Sequence, residues 1–434
     1  MRSHQWTKAV ALYQFQVRPH IRMERVAQEK LYKAIQNITN VIGEQRSLWI
    51  GLERNQTSTN LFKWLNDQNF STSDSLSSGR GEFFNISRLI LPSESGGTGS
   101  RREKSTVVVD ATSEVSVYGH VRCTAKGSKR SSAFKVKGIA ELGKAYRVMT
   151  FRNIGYSQIA VVAIENETLV QVVNKKDSTK NVTITLQMYE TYIIEDRCDM
   201  TGTYIEAMAK IFVLAGNGAE RSPQRDAGRD SFHATLTPYS QWGTKHYFFS
   251  PFKMTSWTAI KLISWENDNV TVVQWKNGTQ ATSSPSESRT TFETSKDLGK
   301  IESPKPILAA QFSEPKISIE QEETAGALSM FLISSLSQFT RKYTVFPVFD
   351  IDYVDHEATY YINVVLPLDG RTTDLYVNNK TSGWQFVGNY SDGSTVVRHQ
   401  LLPGANLLEN RGRFNITAVV SASQLKRCYT FALS

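Results

Sequence analysis

Cysteine is scarce in this chain of 434 residues: Cys123, Cys198 and Cys428 are the whole complement. An odd count allows at most one internal disulfide, so a disulfide framework is excluded and a large packed core must hold the fold. Which of the three pair stays open. Long apolar runs are also missing. None reaches the roughly 18 residues that would suggest a membrane span. Met1 to Phe15 holds only the short run Ala9-Val10-Ala11-Leu12, where a secretory signal needs about 7–15 continuous apolar residues. Catalytic motifs are absent too. The seven histidines (His4, His20, His120, His233, His246, His356 and His399) show no H-E-x-x-H spacing, and no Gly-x-Ser-x-Gly elbow occurs. Ser95-Gly96-Gly97-Thr98-Gly99 lacks the Gly-Lys-Ser/Thr that cradles phosphates. No catalytic residue, metal ligand or cofactor is therefore expected.

Charge excludes a further class. The net charge of +9 is spread thinly, densest at Arg101 to Lys104 and Lys126 to Arg130. Nucleic-acid binding would want a basic stripe with interleaved aromatics, and none is present. A basic extracellular surface is drawn to acidic glycans or mucins. In the acidic cluster Asp350 to Glu357, alternate carboxylates such as Asp350 and Asp352 point to one strand face, but no Gly-centred calcium loop accompanies them, so a solvated edge is expected. Ser391-Asp392-Gly393-Ser394-Thr395 reads as a turn.

What the chain has in excess is the glycosylation sequon. Eleven asparagines start an N-x-S/T triplet: Asn37, Asn55, Asn69, Asn85, Asn166, Asn181, Asn269, Asn277, Asn379, Asn389 and Asn415. Acceptors must be exposed in a secreted protein, which predicts an extracellular glycoprotein whose N-terminus here is incomplete. Asn181-Val182-Thr183 and Asn415-Ile416-Thr417 alternate as half-solvated strands do.

Apolar residues make up 40% and aromatics 11%, as in a packed globular chain. Met23 to Val41 has helical spacing (Val26, Leu31, Ile35, Ile38), followed by Trp49-Ile50-Gly51-Leu52 and Phe62-Lys63-Trp64. This opening resembles the first half of a C-type lectin-like domain, a small α+β fragment over residues 1–70. It lacks that family's calcium-and-sugar tripeptide and its cysteines. Residues 71–104, rich in Ser and Gly, read as a linker.

Residues 105–434 read as β throughout. Apolar strands centred on Val117, Val161, Val213, Ile263, Leu308, Val364 and Ala418 recur at about 50 residues, which suits a β-propeller-like ring of about seven four-stranded blades. The second choice is tandem β-sandwiches, because Thr201-Gly202-Thr203 before Ile211 recurs as Leu298-Gly299-Lys300 before Ile307, about 97 residues on. The phrases Val115-Ser116-Val117-Tyr118-Gly119, Leu142-Gly143-x-x-Tyr146, Val161-Val162-Ala163, Tyr189-Glu190-Thr191-Tyr192, Asp199-Met200-Thr201-Gly202-Thr203, Ile211 to Asn217 and Leu236-x-Pro238-x-x-x-Trp242-Gly243 occur in this order. Together they resemble the N-terminal domain of the IgGFc-binding protein family. The resemblance implies a secreted, non-enzymatic binding or adhesion module of mucus or extracellular matrix, partnered by extracellular glycoproteins or mucins. The alternatives are an extracellular propeller-type glycosidase and a carbohydrate-binding receptor fragment.

Overall fold

A computed structural model describes five N-terminal strands by their backbone (Thr7–Leu12, Gln45–Arg54, Asn60–Trp64, Phe70–Asp74 and Glu82–Ile86). From residue 98 it describes all but 105, 112–114, 126–127, 152–154, 175–176, 221–229, 254, 266–271, 276–279, 283–288, 295–297, 320–321, 326, 346–358, 403–405, 425–426 and 434. The chain is all-β. Among the described residues the only helical turns are short 3-10 turns such as Ile139–Glu141, Tyr239–Gln241 and Leu336–Gln338.

The strands sort into repeated units, best seen in residues 143–235. The long strand Tyr204–Glu220 organises this unit. Its first part alternates: Ile205 and Ala207 are buried while Glu206 and Met208 are exposed. This part pairs with the opening strand Gly143–Arg147 and with Thr168–Val173, which in turn carries Val182–Leu186. From Ile211 both faces are buried, and the sequence Ile211-Phe212-Val213-Leu214-Ala215 is apolar without interruption. This second part pairs with Tyr156–Ala163, backed by Thr191–Asp196, and with the closing strand Asp230–Thr235. The two half-sheets share one core. Tyr146, Val170, Val172 and Ile205 come from the first half, and Ile159, Val161, Val213 and Ala215 from the second. Full burial of each such aliphatic side chain contributes about 1.5–3 kcal/mol.

The same strand order recurs in residues 243–332, built on the long strand Leu298–Ile319 with the opening strand Gly243–Phe249 and the closing strand Ser329–Leu332. Pro304 and Pro306 lie in its long strand where the first half gives way to the doubly buried second half. A strand loses a ladder donor at proline, so the bend belongs there. Residues 342–432 repeat the order with the long strand broken into Asn406–Asn410 and Thr417–Gln424, closed by Arg427–Ala432. Residues 7–136 do so with Thr106–Ala111 and Val115–Ala125, closed by Ser128–Val136. The described strands thus make four units, called first to fourth in chain order.

A buried hydroxyl pins the opening strand of two units. In the second unit the Tyr146 hydroxyl accepts from the Gly143 amide (2.8 Å) and donates to the Ile211 carbonyl (2.8 Å). In the fourth, Tyr343 accepts from the Thr340 amide (3.3 Å) and donates to the Ile416 carbonyl (2.8 Å). The third unit places His246 there, with Nδ1 against the Ile333 carbonyl and Nε2 against the Gly243 carbonyl. Burial pushes the pKa of His246 down, so the neutral ring donates to one carbonyl at a time. Tyr146→Phe should cost about 1–3 kcal/mol by leaving a buried amide and a buried carbonyl short of a partner, with Tyr343→Phe similar. Urea midpoints check this, and unchanged midpoints in both variants would reject the pinning role.

The closing strands of the four units meet in cyclic order. Ser128–Val136 touches Asp230–Thr235, which touches Ser329–Leu332, which touches Arg427–Ala432, which returns to Ser128–Val136. The seam between first and fourth units carries the Lys135 ammonium donating to the Leu433 carbonyl at 2.7 Å and Tyr118 packed on Phe431.

The expected seven-bladed ring is corrected. Val161 and Val213 are register partners in one sheet, as are Ile263 with Leu308 and Val364 with Ala418. The spacing near 50 is therefore half a repeat: the second, third and fourth units each supply two doubly buried strands that lie side by side. The expected division at residues 70 and 104 does not separate sheets either. Gln45–Arg54, with Trp49 and the Ile50-Gly51-Leu52 block, pairs along its length with Val115–Ala125, and Asn60–Trp64 pairs with Thr106–Ala111. The expected linker contributes Gly99–Glu103 to the sheet edge at Thr191–Asp196. The helix expected at 23–41 lies outside the described residues.

Candidate binding site

The convergence of closing strands leaves a cavity of about 40 Å³ on the common axis. Its lining includes Ala133, Lys135 and Lys137 from the first unit and His233, Thr235 and Thr237 from the second. The third unit adds Met330 and Ser334, and the fourth Phe431. Counted back six residues from Gly143, Gly243 and Thr340, the sequence puts Lys137, Thr237 and Ser334 at one equivalent position. Two units carry a hydroxyl there and one carries an ammonium.

His233 is fixed by a chain of hydrogen bonds. Its Nε2 lies 2.9 Å from Gln158 Oε1, and Gln158 Nε2 reaches Glu195 Oε1 at 3.4 Å. Glu195 Oε2 accepts from Arg101 Nη1 at 2.8 Å. A carboxylate only accepts, so the amide must turn its NH2 toward Glu195 and its oxygen toward the ring. The ring proton is then on Nε2, and Nδ1 is a bare acceptor. That atom is buried without a hydrogen-bond partner. Burial pushes the pKa of His233 down to about 3, so the ring is neutral at physiological pH.

Lys137 is buried on the same cavity, 5% exposed. Among the described residues none accepts a hydrogen bond from its ammonium. Burial pushes its pKa down to about 8, against a smaller opposing pull from Glu141. A charge leaves water only when it is paired or when its pKa moves, and here the pKa moves.

The sequon asparagines sit elsewhere. Asn166, Asn181, Asn379, Asn389 and Asn415 are all exposed. Asn85 falls on the strand Glu82–Ile86, while Asn37, Asn55, Asn69, Asn269 and Asn277 lie outside the described residues. The expected alternation is present at Asn181-Val182-Thr183. At Asn415-Ile416-Thr417 both Ile416 and Thr417 are buried. The acidic stretch 350–357 lies outside the described residues. Among the described residues no three metal-ligating side chains gather, and no helix is long and apolar enough to cross a membrane. Cys198 is a free, exposed thiol.

Sequence reasoning set the histidines aside because no metal spacing links them, and it missed Lys137 and His233. The signal that finds them is the repeat itself. Aligning Leu142-Gly143-x-x-Tyr146 with Trp242-Gly243-x-x-His246 brings Lys137 onto Thr237 and Ala133 onto His233.

No curated protein matches the chain. Residues 132–420 match the profile of the family described as IgGFc binding protein, a span that begins in the first unit's closing strand and ends in the fourth unit's strand Thr417–Gln424. The lectin-like likeness of the opening segment lies outside that match. With two thirds of its length matched, the chain belongs to the IgGFc binding protein family.

Proposed function

We propose that the chain is a secreted, N-glycosylated binding module of mucus or extracellular matrix that performs no catalysis and engages extracellular glycoproteins or mucins. The observation that carries the reading is the exposure of Asn166, Asn181, Asn379, Asn389 and Asn415, spread over the second and fourth units. Sequons arising by accident would fall on buried strands as well as on exposed turns. Membership of a binding-type family agrees with it, as does the net charge of +9, which favours acidic glycans at low salt. Trp49 and Trp64 we read as strand residues of the first unit rather than as a sugar-binding lectin fragment.

The test is expression behind an added signal peptide. The product should run heavier than its sequence mass, and enzymatic removal of N-glycans should bring it down. It should also be retained on immobilised sialylated or sulfated mucin and released by salt. A secreted product whose mobility is unchanged by deglycosylation would end the glycoprotein reading. Failure to bind mucin at low salt would end the partner assignment.

A further inference from the structure

Four of the exposed sequon asparagines bond to the fold through one end of the side-chain amide only. Asn166 Oδ1 accepts from the Met188 amide (3.1 Å), Asn181 Oδ1 from the Asn174 amide (2.8 Å), Asn379 Oδ1 from Arg411 Nη2 (2.8 Å) and Asn389 Oδ1 from the Thr395 hydroxyl (3.0 Å). Among the described residues none of the four donates through Nδ2. Asn217, Asn363, Asn378 and Asn410 start no sequon, and each spends Nδ2 on an acceptor within the fold. An N-glycan replaces a hydrogen of Nδ2 and leaves Oδ1 an acceptor, so all four contacts survive its attachment.

The contrast is sharpest within one turn of the fourth unit. Val377 and Lys380 exchange backbone hydrogen bonds of 2.9 and 3.0 Å. Asn378 and Asn379 between them have φ of 51° and 65°, as a two-residue type I′ turn requires. Asn378 turns inward: Nδ2 donates to Asn406 Oδ1 and Oδ1 accepts from the Leu407 amide. Asn379 turns outward onto Arg411, whose guanidinium carbon lies 3.8 Å from the centre of the Tyr376 ring. Arg411 Nη2 serves both Asn379 and Glu409, so among the described residues no acceptor meets its Nε or Nη1. Oδ1 and Nδ2 belong to one planar amide, so a sugar on Nδ2 starts beside these spare donors. We propose that the Asn379 glycan is a fixed part of the fourth unit. Its first N-acetylglucosamine sits on the Arg411–Tyr376 stack, with the acetamido oxygen accepting from Arg411. The charge strengthens that bond, and the tyrosine ring holds the guanidinium in place. The inference rests on the glycoprotein reading and adds to it the residues that hold one glycan.

The test uses the full chain secreted behind an added signal peptide, with each sequon's occupancy read by glycopeptide mass spectrometry. Thr381→Ala removes the sequon and leaves Asn379, Tyr376 and Arg411 in place. The parent should exchange the amides of residues 376–380 about three-fold more slowly than Thr381→Ala. In a chain that also carries Arg411→Ala, the same substitution should change nothing, because the holder is gone. A bare Asn379 in a chain glycosylated at Asn166 or Asn181 would overturn the proposal and leave the glycoprotein reading standing. So would equal exchange in parent and Thr381→Ala, or a difference that persists without Arg411. A chain bare at every sequon would end both. Should Arg411→Ala fail to fold, glycan release from the native parent chain decides. A glycan amidase should free Asn379 several-fold more slowly than Asn166 until the chain is denatured, and equal rates reject the site.

Discussion

Lowering the pH from 6.5 to 4 should weaken the fold by several kcal/mol through His233 alone. Burial holds its folded pKa near 3, against about 6.5 in the unfolded chain. The depressed folded value means that the unfolded chain takes up the proton first. The neutral ring's contribution is complete above pH 6.5, falls by about 1.4 kcal/mol per pH unit below it, and levels off once the folded ring titrates. His233→Ala places there the residue that the first unit carries as Ala133. Urea unfolding between pH 4.5 and 6 should show the parent losing stability more steeply than the variant by about that slope. Asp199, which does not belong to the ring's hydrogen-bond chain, is the same in both chains and cancels in the difference. Parallel pH profiles would contradict the assignment of a neutral, buried ring.

Lys261→Met should destabilise by about 3–5 kcal/mol, as expected when one member of a buried charge pair is removed. The Lys261 ammonium, from the third unit's strand Thr255–Ser264, reaches into the second unit. It donates to the Thr150 carbonyl (2.8 Å), Asp199 Oδ2 (2.9 Å) and Thr201 Oγ1 (2.9 Å). Burial alone would raise the pKa of Asp199, but the Lys261 charge and the hydrogen bonds from Thr201 and Lys261 outweigh it and hold the carboxyl below its usual value. That stabilisation is present above the unfolded pKa and lost as pH falls through the folded one. Without the ammonium, burial dominates and the carboxyl pKa rises. The variant should then be least stable at neutral pH relative to the parent and recover part of the gap by pH 5. Adding Asp199→Asn should restore much of the loss, since neither charge is then left alone. A Lys261→Met chain within about 1 kcal/mol of the parent would show that the pair carries little at this seam.

The strand content was legible because its physical cause is local. Ile211 to Ala215 and Ile307 to Ala310 are apolar without interruption, as doubly buried strands must be. Which strands share a sheet was not legible. Val161 and Val213 are adjacent in the sheet yet look like equivalent members of a repeat, because the two central strands of a unit meet the same demand for burial on both faces. Lys137 and His233 were hidden for a related reason. A lysine between Val136 and Gly138 reads as a solvated turn residue, and its burial follows only from strands of other units closing over it. The exposed sequons needed no such contacts, and the turn chemistry around Asn166 and Asn379 was enough.

Four similar units joined in a circle raise a problem of address. Each unit presents its neighbours with nearly the same apolar faces, so burial alone does not say which unit belongs beside which. The polar bridges at the seams do. Lys261 finds a carboxylate at Asp199, whereas at the next seam Arg398 donates to the Ser250 carbonyl and to Asn363, whose amide reaches the Pro251 carbonyl. At the closing seam Lys135 meets a bare carbonyl at Leu433. A rotated or swapped arrangement that set Lys261 against Ser250 and Pro251 would strand a buried charge without its carboxylate, at a cost of several kcal/mol. The locks at these three seams differ from one another, and a chain that folds unit by unit is thereby steered away from joining the wrong neighbour, including a neighbour from another molecule.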